Sequence, residues 1–234
     1  MKYFQDMEKM TQINYYIFVI RGGGETVVVD CGVDPAAAAQ RNLAGYVNPA
    51  DVLRRIDVDA RKVKHVVVTH IHFDHVSGIR LFPRATFFVQ EKEFHFWIKD
   101  PMAKRGPFMQ LSDIPANRYL GRLEGTNRLR LVRGDRKILP GIELLLAPGH
   151  TIVLQAIAVN TARGTAVVGS DLAHTFFSCR TDFPSAIITD MIQWMKSFDK
   201  IKAKVATPDL LFPGHDLALL EDYPLVAEDV SRLV

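Results

Sequence analysis

The chain has 234 residues, 48% of them hydrophobic and 24% charged, with a formal net charge of +3. This balance supplies apolar surface for a sizeable core and excludes a disordered or strongly polyelectrolyte protein. No apolar run approaches the roughly 20 residues needed to cross a bilayer, so no membrane partner is expected.

The length fits a single domain, 1–234, of ordinary size. Met1-Lys2-Tyr3-Phe4-Gln5-Asp6 lacks an apolar signal core, which reads as a cytoplasmic protein. In that compartment the two cysteines, Cys31 and Cys179, are expected to be free thiols rather than a bridge. Charge is unevenly spread: between Ile98 and Lys137 ten Lys/Arg face four Asp/Glu, leaving −3 for the rest of the chain. Such a segment steers anions or touches nucleic acid in some proteins, but a solvated face is the commoner use.

In chain order, Asn14 to Ile20 reads as a strand and Thr26 to Asp30 as its partner. Arg21 to Glu25, with Gly22-Gly23-Gly24, forms the hairpin connection. No helix with Lys-Ser/Thr follows the triple glycine, so it is a turn and not a phosphate loop. Pro35 and the alanines after it open a short helix. Asn48-Pro49 supplies an N-cap and first-turn proline for another, carrying Val52, Leu53 and Ile56. Val66-Val67-Val68 is a buried strand. A turn at Gly78, a strand over Ala85 to Val89 and a helix from Glu91 follow. Ile98 to Asn127 is irregular and proline-punctuated, and reads as a partly helical insertion positioned to lie over a site. Strands resume at Arg128–Val132, Ile142–Ala147, Gln155–Val159 and Ala166–Gly169. Ile187 to Ile201 reads as a helix, and Leu210-Leu211-Phe212 as a last short strand. Two runs of strands, each followed by helices, predict an α/β protein with two sheets and helices outside.

The chemistry is concentrated after Val68, in Thr69-His70-Ile71-His72-Phe73-Asp74-His75. Imidazole nitrogens and carboxylate oxygens are the donors preferred by zinc and its first-row neighbours. Four such ligands so close in sequence crowd a single ion, which points to two ions side by side. Three later stretches repeat one arrangement: Pro148-Gly149-His150, Gly169-Ser170-Asp171 and Pro213-Gly214-His215. Each places a metal-capable residue just after an apolar strand, where a catalytic metal site is held rigidly.

His70-x-His72-x-Asp74-His75 followed by His150, Asp171 and His215 resembles the metallo-β-lactamase superfamily over nearly the whole chain. The resemblance implies an αββα sandwich, two mixed β-sheets flanked by helices, with the metals at one edge. It implies that His70, His72 and His150 bind one ion, that Asp74, His75 and His215 bind the second, and that Asp171 bridges them. The bridging aspartate is similar to lactonase, glyoxalase-II and related hydrolase branches rather than to true β-lactamases. Asp30-Cys31-Gly32, His72-Phe73-Asp74-His75 and the later spacing look like N-acyl-homoserine lactone lactonases. Those enzymes generally carry a tyrosine three residues after the bridging aspartate, against the substrate carbonyl; this chain has His174 there.

The expected activity is a dinuclear hydrolase acting on a small-molecule substrate. Two divalent ions, zinc first among them, lower the pKa of a shared water, and the hydroxide attacks the carbonyl of a lactone or similar small ester. Asp74 orients the water, Asp171 bridges, and His174 donates to the substrate; Phe73, Met109, Phe176 and Phe177 are candidates for an apolar substrate pocket. His65 and His95 are read as structural or exposed. Amide, thioester or phosphoester hydrolysis on the same metals is the alternative, with nucleic-acid processing behind it. Homo-oligomerisation is left open.

Overall fold

The computed structural model describes residues 12–234; the signal reading of Met1–Asp6 lies outside them. The first sheet is built from β1 (Phe18–Gly22), β2 (Glu25–Val29), β3 (His65–Val67), β4 (Thr86–Gln90) and β5 (Leu129–Val132), adjacent in that order. Only the β1–β2 hairpin is antiparallel; β2 through β5 run parallel. Gly23 and Gly24, at φ of +58° and +80°, make its two-residue turn, a conformation that favours glycine. The second sheet has the order β10 (Leu211–Pro213), β9 (Gly164–Ser170), β8 (Gln155–Thr161), β7 (Ile142–Leu146) and β6 (Arg136–Leu139). It is an antiparallel meander with β10 added parallel to β9.

The two sheets face each other across one apolar layer. Val27, Val29 and Val67 of the first sheet meet Leu144, Ile157 and Val168 of the second. The alternate residues point outward: Val28, Val66 and Phe87 pack under Leu53, Phe94, Trp97 and Leu120. On the far side Leu145, Ala156 and Val167 pack under Trp194, Phe198 and Ile201. A strand buried on both faces has to be apolar at every position, which is why Val27-Val28-Val29 and Val66-Val67-Val68 are uninterrupted. The outer helices include α1 (Pro35–Gln40), α2 (Pro49–Arg54), α4 (Glu91–Lys99), α6 (Ile114–Arg122) and α8 (Met191–Lys202), with α3 (Phe73–Val76), α5 (Gly106–Met109) and α7 (Phe176–Thr181) as short turns around the site. Asp34, Asn48, Asp113 and Asp190 cap four of them through their side chains. This is the expected αββα layering.

Several local expectations shift. β1 starts at Phe18, not Asn14, because the Asn14 backbone is bonded to His215 instead of to β2: its N–H donates to the His215 carbonyl at 3.2 Å. The expected helix over Ile187–Ile201 begins at Met191, since Thr189 and Asp190 donate to the Gly149 carbonyl and hold the chain out of helix. β6, a C-terminal helical turn α9 (Ala218–Glu221) and the small ribbon β11 (Leu225–Ala227) with β12 (Val230–Ser231) carry no clear periodicity in the sequence.

The 98–127 segment opens as the end of α4 and closes as α6, with α5 between. It is tied to the His-rich stretch: Phe73 N–H donates to the Leu111 carbonyl at 2.8 Å, and Ser77 Oγ to Asp113 at 2.7 Å. Among the basic residues between Ile98 and Lys137, Lys99 pairs with Glu124 and Arg133 with Glu91, while Arg128 donates to the Phe82 and Ala85 carbonyls. Among the described residues no helix is long and apolar enough to cross a membrane.

Candidate metal centre

Each group of donors is delivered from the end of a strand. β3 runs into His70, β7 is followed by His150, β9 ends at Ser170 before Asp171, and β10 is followed by His215. Because β3, β9 and β10 end at the same edge of the sandwich, residues up to 145 positions apart converge there. The turns are tightly built. Ser170 has a φ of +49°, which swings Asp171 out of the strand line. Gly214 is required beside it: a Cβ there would sit 2.7 Å from Asp171 Oδ1.

All seven residues read as ligands come together, buried, in two groups. In the first, His70 Nε2 lies 3.0 Å from His72 Nδ1, and His150 Nε2 lies 3.2 Å from the same atom. Ligands about 2.0–2.1 Å from a tetrahedral zinc stand roughly 3.3 Å apart, so the spacing suits one shared cation. In the second, His75 Nε2 is 3.3 Å from Asp74 Oδ2, and His215 Nε2 is 3.6 Å from it. Asp171 stands between the groups. Its Oδ1 is 3.2 Å from His75 Nε2 and 3.0 Å from His215 Nε2, while Oδ2 is 3.3 Å from His150 Nε2.

Four of the five histidines have their second ring nitrogen engaged away from the centre. His75 Nδ1 meets Asp30 Oδ2 at 2.7 Å, His150 Nδ1 the Ile187 carbonyl at 2.8 Å, and His215 Nδ1 the Asn14 carbonyl at 2.7 Å. These acceptors engage Nδ1 and turn Nε2 inward. His70 Nδ1 lies 3.1 Å from Thr69 Oγ1, whose hydroxyl and backbone N–H also bond Asp30. His75 Nε2 is buried with no hydrogen-bond partner. An orphaned nitrogen among convergent donors is what a cation site leaves when the ion is not counted, so this donor set fits divalent metals.

The electrostatics separate the two groups. Burial, reinforced by the neighbouring imidazoles, pushes His70 and His72 well below the ordinary histidine value. Burial opposes charge on His75 too, but Asp74, Asp171 and Asp30 outweigh it and hold it well above that value. Burial also works against ionising Asp74, yet His75 and then His215 bring its carboxyl down to about 2. Both carboxylates are therefore held ionised, Asp171 by His215, His174 and His75 against its burial.

His174 joins the same cluster, grouped with Asp171 and His215. Its Nε2 is 2.9 Å from Asp171 Oδ2 yet out of line for a hydrogen bond, and it is buried without a partner. Its ring contacts those of His150 and His215 at centroid distances of 5.2 and 4.9 Å.

The apolar candidates disperse. Phe73 is buried against Val33, Ala37 and Ala38, with Arg41 over its ring at 3.6 Å. Met109 lies on α5 and is 38% exposed. Phe176 stacks on Tyr223 and packs with Leu210 and Phe212, so its ring serves the core beneath α7. Phe177 is 58% exposed and stacks on Phe183. His65 is half-buried, 3.8 Å from Glu25, and His95 is exposed.

Tyr15 was not singled out from the sequence. Its ring stands edge-on to both Phe73 and His215 at 5.6 Å, and no local motif marks it. Asp30 and Glu93 are both buried and support the ligands from behind; Asp30 belongs to the Asp30-Cys31-Gly32 motif, whereas no motif marks Glu93.

The sequence model of the metallo-beta-lactamase superfamily matches residues 10–215. An N-acyl homoserine lactonase from Bacillus thuringiensis subsp. kurstaki is 21% identical over 225 residues, 89% of this chain and 84% of that protein. A second, from Bacillus cereus, is 22% identical over 207 residues, with 82% and 76% covered. Among solved structures, a quorum-quenching N-acyl homoserine lactone lactonase superposes with a TM-score of 0.72 at 19% identity, covering 92% of this chain and 84% of that one. AidC, described as a dizinc quorum-quenching lactonase, gives a TM-score of 0.68 at 19% identity, covering 88% and 73%. The superfamily match runs from before β1 through His215, and so takes in every strand that delivers a donor to this centre: the chain belongs to the metallo-β-lactamase superfamily.

Proposed function

We propose that the chain is a dinuclear metal-dependent hydrolase that opens a lactone or a similar small ester. His70, His72 and His150 would hold one divalent ion and Asp74, His75 and His215 the second, with Asp171 the residue that would serve both. Zinc suits the nitrogen and oxygen donors, and AidC, which shares the fold, is described as dizinc. The observation that carries this reading is the division of Asp171, with Oδ1 turned to one histidine group and Oδ2 to the other.

Bound there, a pair of divalent ions supplies Lewis-acid polarisation of a carbonyl oxygen and brings the pKa of water towards neutrality. The chain's own groups do the rest. The hydrogen bonds to Asp30, Ile187 and Asn14 fix three imidazoles before any ligand arrives. Asp74, held ionised and 3.3 Å from His75, would orient the attacking water. His174 donates from Nε2 to the substrate oxygen, a role supported by a buried nitrogen that makes no hydrogen bond within the protein.

The test is elemental analysis of protein purified without chelator, followed by a substrate panel on the metal-loaded chain. N-acyl homoserine lactones, named for the relatives, head the panel; esters, amides, thioesters and phosphoesters complete it. Two metal equivalents and fastest turnover of a lactone or ester are expected. A reproducible single equivalent, unchanged on adding metal, would end the dinuclear reading, and preference for an amide or phosphoester would end the lactone assignment.

A further inference from the structure

Glu93 lies in the first turn of α4, is 0% exposed, and has no part in the chemistry described so far. Its two carboxylate oxygens accept four hydrogen bonds from three separate places. Oε1 accepts from Ile71 N–H at 3.2 Å and from Trp97 Nε1 at 2.7 Å. Oε2 accepts from Thr151 Oγ1 at 2.9 Å and from Val153 N–H at 3.0 Å. Ile71 stands between His70 and His72, and Thr151 follows His150. One carboxylate therefore spans the two backbones that carry all three imidazoles of the first group. Trp97, held by the same oxygen as Ile71, stands edge-on to His72 at 5.3 Å.

The second group has separate supports. His75 is held by Asp30 and His215 by the Asn14 carbonyl, and neither residue contacts Glu93. A carboxyl group is this deeply buried only when its acceptor sites are filled, and here four donors fill them. Its geometry is therefore transmitted to whatever those donors belong to.

We infer that Glu93 is a positioning residue that sets the metal affinity of the His70, His72 and His150 half of the centre, independently of the other half. The inference rests on the two-metal reading. It adds that Glu93 serves the first half alone, whereas Asp30 holds His75 directly and reaches His70 through Thr69.

Glu93→Gln is the informative change. The amide oxygen can still accept from Ile71 and Trp97, but its NH2 then faces Val153 N–H, donor against donor. Loss of such a supporting partner typically costs about 10- to 100-fold in metal affinity. The experiment titrates metal-free full-length protein with Co2+, followed by absorbance and by elemental analysis after dialysis. The parent must first take up two ions; if it does not, the two-metal reading fails before Glu93 is tested. Given two, E93Q should retain one site at parental affinity and weaken the other by about 10- to 100-fold. Adding His150→Ala to E93Q should leave that one ion in place; loss of both ions would show that the wrong half was weakened. General loosening of the fold would lower both affinities together along with the melting temperature, and that result overturns the inference, as does unchanged binding at both sites. If E93Q does not fold, Thr151→Val deletes a single donor to the same carboxylate. It should give a shallower loss confined to the same site, and equal or absent loss there overturns the inference equally.

Discussion

Replacing Asp171 with alanine removes the carboxylate that lies between the two groups of donors. Its oxygens stand 3.0 to 3.3 Å from the inward nitrogens of His215, His75 and His150, so any ion among those nitrogens sits within a few ångströms of its charge. A pair of unit charges about 4 Å apart is worth about 4 kcal/mol at an effective dielectric of 20. At about 1.4 kcal/mol per tenfold, that corresponds to roughly three orders of magnitude in affinity. Buried charge pairs recover only part of such a figure against desolvation, so the expected loss is about 10- to 1000-fold for each ion. Asp171→Asn keeps the shape and one acceptor oxygen but removes the charge, and should fall between parent and Asp171→Ala. The assay is dialysis of loaded protein against a graded chelator series, with metal content and turnover read at each step. Asp171→Ala should release both ions at lower chelator concentration than the parent and lose turnover in parallel. Full occupancy at parental rate in that variant would show that the carboxylate is not shared between the groups.

His174→Ala should keep both ions and lose at least tenfold in kcat, since a donor lost from a developing oxyanion costs about 100- to 1000-fold in well-studied cases. His174→Tyr should retain turnover of a lactone; steady-state kinetics on metal-replete protein check both, and an unchanged rate in the alanine variant would reduce His174 to packing. Gly149→Ala should destabilise the fold, because a Cβ there would lie 2.4 Å from Trp194 Cα and 2.5 Å from its N at a φ of +136°. Overpacking costs about 1–3 kcal/mol, which at about 2–4 °C per kcal/mol for a domain this size lowers the melting temperature by several degrees. A melting curve matching the parent's would refute the close approach, and metal content should fall with stability because His150 is the next residue.

What the sequence determined by itself is local. The run Val66-Val67-Val68 announces a strand covered on both faces, the histidines and aspartate behind it announce a metal, and the repeated Pro-Gly-His turns announce that more donors arrive at strand ends. Asn48-Pro49 places a helix start to the residue. Such features depend on neighbours within a few positions, where periodicity, capping and donor chemistry are readable. The resemblance carried by the spacing of the seven residues extended this to the sandwich itself. What only the tertiary structure decided is everything that depends on strand order and on which face a residue meets. Asn14 leaves β1 because His215, two hundred residues later, takes its backbone. Phe176 turns to Tyr223, while Tyr15, outside any motif, stands edge-on to His215. Glu93 looks like any helix-opening glutamate in the sequence, yet it joins the His72 and His150 turns. Its partners come from three separate parts of the chain, brought together by parallel pairing in one sheet and by the packing of that sheet on the other. A buried acceptor is satisfied by whatever donors the packing delivers, and that delivery is a property of the folded layers rather than of any local stretch of chain.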